Sequence, residues 1–149
     1  MSITVHIART ASEGLVDDLN HLLPQLSSSA APLTVGTLNE MLSSNAITLF
    51  VARQNERVIG TLTLAIFPIP TGLRAWIEDV VVDRDSRGFG VGDALTTAAV
   101  AHATELGVRS IDLTSRPSRE AANALYVKLG FELRKTNVYR FSVEATEEQ

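Results

Sequence analysis

One stretch constrains this chain more than any other: Arg87-Gly88-Phe89-Gly90-Val91-Gly92, set between the apolar run Ile77-Glu78-Asp79-Val80-Val81-Val82 and an alanine-rich stretch of helical character. Glycine tolerates left-handed backbone and, lacking a Cβ, lets a ligand approach the main chain closely. A helix that starts here has first-turn N–H groups without intrahelical partners, at the positive end of its dipole. Strand, glycine turn and helix start together predict an anion site, most naturally for a pyrophosphate. Arg87 adds a permanent planar cation at its mouth.

Several nucleotide-type motifs compete for this turn. A P-loop needs a Gly-Lys-Ser/Thr ending, and the segment holds no lysine. A dinucleotide fingerprint counted from Gly88 meets Asp93 where its third glycine belongs, although Asp112 stands at a suitable distance for a ribose ligand. The pattern Arg/Gln-x-x-Gly-x-Gly/Ala is met by Arg87, Gly90 and Gly92. A merely flexible approach to the helix is the plain alternative.

The rest of the chain places this turn in a single domain. Its 149 residues, 45% apolar, match one domain with its own core. The absence of cysteine excludes disulfides, thiolate zinc sites, iron–sulfur clusters and a cysteine nucleophile. The three histidines, His6, His21 and His102, are dispersed, and no metal is expected. A net charge of −4 without a basic stripe argues against nucleic acid. No apolar run approaches the roughly 18 residues of a membrane span, and the first residues do not resemble a signal peptide, so the cytoplasm is the expected location.

Period-2 alternation at Ile3, Val5 and Ile7 predicts a first strand. Ser12 caps a helix carrying Leu15, Leu19, Leu22, Leu23 and Leu26, which Pro24 should kink or end. Thr37 and Glu40 suggest a capping box for a second helix. Strands over 47–53, 58–67 and 74–82 read as an antiparallel meander, with a loop forced at 68–72 by Pro68 and Pro70. A helix from about Val91 to Leu106 stops at Gly107, and a strand follows over 109–114. Ser118 is expected to cap the last helix, which Gly130 stops, and strands over 131–134 and 138–143 close the chain. The order β-α-α-β-β-β-α-β-α-β-β predicts an α/β (α+β) fold, a mixed sheet of about seven strands flanked by four helices. The closing strands offer edges for pairing in a homodimer.

The turn at 87–92, the strand before it, and Asn123-Ala124-Leu125-Tyr126-Val127-Lys128-Leu129-Gly130-Phe131 with the closing strands appear in the order of the GCN5-related N-acetyltransferase (GNAT) superfamily, which most of the chain resembles. The resemblance implies transfer of acetyl from acetyl-CoA to an amine by direct attack. It implies that the amide-bearing arm of CoA pairs with backbone at Val80, Val81 and Val82. The pyrophosphate would lie on the N–H groups of Arg87, Gly88, Phe89, Gly90, Val91 and Gly92. A backbone N–H near Val80 would receive the charge developing on the thioester oxygen. Asp93 departs from the neutral or basic residue commoner in the family and puts a carboxylate near the phosphates.

By the same resemblance Tyr126 is the general acid for the leaving thiolate, with a core tyrosine as the alternative. Asn123 matches the asparagine that bonds the CoA arm; a locally satisfied polar residue is the other reading. Glu78 and Asp79 are adjacent on a strand and so face opposite ways. Glu78 shares parity with Val80 and Val82 and is the favoured base, with Asp79, no dedicated base, or an ion pair with Arg74 remaining open. Arg116 and Arg119 could hold an acidic group of the substrate or of CoA. The expected acceptor is a small-molecule primary amine. A protein lysine or N-terminus, or a non-catalytic acyl-CoA sensor, are the alternatives.

Overall fold

The computed structural model describes residues 2–143. It divides into an N-terminal unit ending at Thr114 and a C-terminal unit beginning at Ser115. The first contains β1 (Thr4–Ala8), α1 (Glu13–Leu22), α2 (Val35–Leu42), β2 (Ile47–Gln54), β3 (Arg57–Ile69), β4 (Gly72–Val82), α3 (Val91–Glu105) and β5 (Ser110–Asp112); the second contains α4 (Glu120–Lys128). The strands form one sheet in the order β1-β2-β3-β4-β5. The first four are antiparallel and β5 runs parallel to β4.

Each face of the sheet is covered by a different part of the chain. Leu49 and Val51 of β2 and Val81 of β4 pack with Leu15, Val16, Leu19 and Leu22 of α1 and Leu38 of α2. Each fully buried leucine contributes about 2–3 kcal/mol. Ser12 caps α1 by accepting from the Leu15 N–H at 3.2 Å. Pro24 ends the helix and turns residues Leu23–Gln25 into a single 3-10 turn. On the opposite face α3 presents Val91, Leu95, Ala99 and Ala103. A Cβ on Gly60 of β3 would lie 2.9 Å from Val91 Cγ1 and 3.1 Å from Leu95 Cδ1, so glycine here lets α3 seat directly on the strand. His102, in the last turn of α3, packs edge-on to Phe50 with ring centroids 5.8 Å apart.

Among the described residues four α-helices form as expected, but the sheet has five strands instead of about seven. Residues 131–134 and 138–143 form no strand. Apart from the half-buried Phe131, their apolar residues stand in solvent, Leu133 at 95% and Phe141 at 91% exposure. Alternation marks which side of a segment is apolar, but a strand exists only where a neighbour completes its hydrogen bonds. The meander departs in the other direction. β3 continues through Pro68 to Ile69, which pairs with Gly72, leaving only Pro70 and Thr71 in the turn. Pro68 is tolerated because the β2 ladder ends at Ala65, so its missing N–H interrupts no pairing on that side. The capping box of α2 is Thr34 with Thr37, three residues before the expected one, and Arg119 rather than Ser118 precedes α4.

Candidate active site

β4 carries the irregularity that shapes the site. Thr63 of β3 faces Glu78 while Thr61 faces Val81, so Asp79 and Val80 together oppose one residue. This is a β-bulge. Asp79 takes φ +49°, a left-handed conformation seldom adopted outside glycine. Paired residues in a ladder point to the same face. Glu78 therefore lies on the face of Thr63, Thr61 and Val81, the side covered by α1. Simple alternation placed Glu78 in line with Val80 and Val82, and the bulge breaks that alignment. Glu78 and Asp79 are both exposed. The Arg74 guanidinium is held elsewhere, donating to Ser110 Oγ at 3.0 Å and Thr71 Oγ1 at 3.3 Å.

On its other edge β4 meets β5 only at Arg74, Ala75 and Trp76. From Ile77 to Val82 the two strands share no ladder. A run of β4 backbone thus lies beside a gap in the ladder, where an extended, amide-bearing chain could add as a strand. Val80, Val81 and Val82 all belong to this run. The Val82 carbonyl accepts from Arg87 Nε at 3.2 Å, which folds Arg87 back over the strand end.

The gap leads to the glycine turn. Gly88 and Gly90 adopt φ +87° and +81°. A Cβ at either would meet nothing within 4 Å, so both are required for backbone shape and the space beside them is open. Gly90 is the N-cap of α3, and its carbonyl accepts the Ala94 N–H at 3.0 Å. No side chain caps this helix. The N–H groups of Val91, Gly92 and Asp93 thus have no intrahelical acceptor, at the positive end of a 15-residue helix. Phe89, 57% exposed, forms the tip of the turn. Thr97 Oγ1 donates to the Asp93 carboxylate at 3.2 Å. The cradle fits a pyrophosphate, and the open β4 edge fits the amide arm of CoA.

Beneath the turn lies a group that sequence reasoning passed over. Asp83, 2% exposed, follows β4 directly. Its carboxylate accepts from Gln25 Nε2 at 3.1 Å and Arg57 Nη2 at 2.9 Å, and His21 Nε2 lies 3.8 Å away. Burial works to raise its pKa. The Gln25 hydrogen bond, the Arg57 and His21 charges and a backbone hydrogen bond at Asp85 outweigh burial and hold the carboxyl below its ordinary value. These partners lie 58 and 26 positions away in sequence. The sole sequence signal was an acid just ahead of a glycine turn.

In the C-terminal unit Tyr126 is buried, with its ring 5.7 Å from that of Phe131, edge to face. Burial raises its pKa against the opposing Arg119 charge, so the phenol keeps its proton well above neutral pH. Asn123 Nδ2 donates to the Arg116 carbonyl at 2.9 Å, closing the turn that leads into α4. Among the described residues no group of three or more His, Cys, Asp or Glu side chains could hold a metal ion, and no helix is long and apolar enough to cross a membrane.

The comparisons with known proteins agree with this geometry. The chain is 31% identical over 99 residues to "N-alpha-acetyltransferase 30" of Schizosaccharomyces pombe, a match covering 66% of this chain and 65% of that one. It is 42% identical over 57 residues to "Mycothiol acetyltransferase" of Propionibacterium freudenreichii, covering 38% of this chain and 18% of the relative. The chain thus spans less than two thirds of these relatives' length. A crystal structure of a Trypanosoma brucei acetyltransferase superposes with a TM-score of 0.79 at 25% identity, covering 95% of this chain and 100% of that one. The family model described as "Acetyltransferase (GNAT) family" matches residues 16–131, and the chain belongs to that family.

Proposed function

We propose that this chain is an acetyl-CoA-dependent N-acetyltransferase, working as one domain, that acetylates the primary amine of a small molecule by direct attack. The observation that carries this reading is the parting of β4 from β5 after Trp76, immediately ahead of a left-handed glycine turn at an uncapped helix start. Acetyl-CoA, when bound, supplies the activated acetyl thioester. The β4 edge at Val80, Val81 and Val82 holds its amide arm, and the N–H groups from Arg87 to Gly92 hold its two linked phosphates. A backbone N–H at the β4 bulge stabilises charge on the thioester oxygen; such a donor contributes about 3 kcal/mol. Glu78, on the face covered by α1, takes the proton that the substrate ammonium must lose before its free amine attacks the thioester carbonyl. Tyr126, its phenol kept protonated by burial, donates to the leaving thiolate. Asn123, whose Nδ2 bonds the Arg116 carbonyl, steadies the cofactor arm through its amide oxygen, as the family resemblance implies.

A second reading has its own support. The similarity to an N-alpha-acetyltransferase spans a longer stretch than the similarity to a mycothiol acetyltransferase, and it favours a peptide N-terminus as acceptor. Thiol release from acetyl-CoA, measured across amino sugars, polyamines, amino acids and short peptides with free N-termini, separates the two. Turnover confined to peptides would overturn the small-molecule assignment. Absence of turnover with every amine, together with retained CoA binding, would point to a sensor.

A further inference from the structure

In this reading the N–H groups from Arg87 to Gly92 meet the phosphates, yet most of the eight residues between Val82 and Val91 are exposed and lie outside any long helix or strand. Something must fix where that segment starts. Its anchor comes from the other end of the sequence. Pro24 stops α1 and turns the chain into a 3-10 turn whose last residue is Gln25. The Gln25 amide then grips the segment twice. Its Oε1 accepts the Arg84 N–H at 2.9 Å, and its Nε2 donates to Asp83 Oδ1 at 3.1 Å. Asp83 is locked in turn by Arg57 Nη2 at 2.9 Å, by its own N–H on the Ile59 carbonyl at 2.8 Å, and by the Ser86 N–H on its carbonyl at 2.8 Å. One side chain thus satisfies two consecutive residues, and both bonds are made on the strand side of the glycines.

We infer that Gln25 is a positioning residue for the phosphate-binding turn: it acts through Asp83 and Arg84 to hold residues 83–92 in the shape that receives a pyrophosphate. This rests on the acetyl-CoA reading given above and adds to it a residue that touches no part of the cofactor. The two bonds hold only the approach to the turn, so their loss should weaken binding of the phosphates and leave the β4 edge intact. Glutamine is required for its pairing of one acceptor with one donor. A glutamate keeps the acceptor for Arg84 but sets a carboxylate against Asp83.

The test is titration calorimetry with CoA and with pantetheine, which has the amide arm and no pyrophosphate, alongside the melting temperature of each protein. Gln25→Ala is expected to weaken CoA about tenfold, from two lost hydrogen bonds, while changing pantetheine affinity less than about twofold. Gln25→Glu is expected to weaken CoA at least as much at neutral pH. Equal weakening of both ligands would mean a general loss of structure and would overturn the inference. Unchanged CoA affinity in both variants would overturn it as well. A wild-type protein that binds no CoA would instead refute the underlying acetyl-CoA reading, and the inference with it.

Discussion

The glycine turn at 87–92 and the segment at 131–143 are both patterned plainly in the sequence, and only one of them becomes the structure its pattern suggests. The turn needs left-handed backbone at Gly88 and Gly90 and a helix start at Val91, and both requirements are met within a few residues. The C-terminal segment alternates apolar and polar residues as a strand would, yet Val138, Tyr139, Phe141 and Val143 all stand exposed. Its pattern asks for a neighbouring strand, and among the described residues none pairs with it. The same contrast runs through the site. In the proposed mechanism the groups on the β4–α3 side are backbone amides fixed by local conformation, whereas the proposed acid and base, Tyr126 and Glu78, are side chains.

That contrast can be broken by experiment. The largest effect is expected from Tyr126→Phe, which removes a proton donor and little else. It should lower kcat about a hundred- to a thousandfold in the thiol-release assay, with CoA affinity by calorimetry unchanged. Unchanged turnover would remove the acid assignment. Glu78→Gln should lower kcat about a hundredfold at neutral pH, since the amide cannot take a proton from the amine. Unchanged kcat would shift the base role to Asp79 or to no residue.

On the backbone side, Gly90→Val should act on binding instead of turnover. A β-branched residue in left-handed backbone is strained by roughly 1–2 kcal/mol, so CoA affinity should fall about tenfold with kcat at saturation little changed. A loss of kcat without a loss of affinity would separate the turn from the phosphates.

The smallest effect concerns stability. Asp83 is nearly fully buried and its folded pKa lies below its ordinary value. Its contribution is therefore fully present above the unfolded carboxylate value, about 3.9, and fades as pH falls through the lower folded value. Asp83→Asn should cost about 2 kcal/mol at neutral pH, read from denaturant melts, and the gap to wild type should close in strong acid. A gap that persists there would mean that the charge on Asp83 is not what holds Gln25 and Arg57.

Much of the fold was readable because it depends on neighbours in sequence. Leu15, Leu19 and Leu22 recur at helical spacing, Pro24 stops the helix they form, and Gly107 follows the end of α3 with φ +84°. The bulge at Asp79 was not readable. Period-2 counting assumes an unbroken ladder, and whether an extra residue is inserted depends on how β3 registers against β4. Pro68 misled for a related reason: a proline interrupts a strand only where its N–H would be needed, and the short β2 ladder removes that need.

Sequence by itself determined the family's glycine turn, the helix that opens after it and the apolar strand before it, since all three follow from local backbone preferences. Tertiary structure alone decided that β4 parts from β5 after Trp76, that Glu78 faces the α1 side, and that Gln25 reaches Asp83 across 58 positions. Local preference dictates the conformation of each residue. Which groups then meet is settled by the packing of a whole sheet against its helices, a free energy that belongs to no single segment.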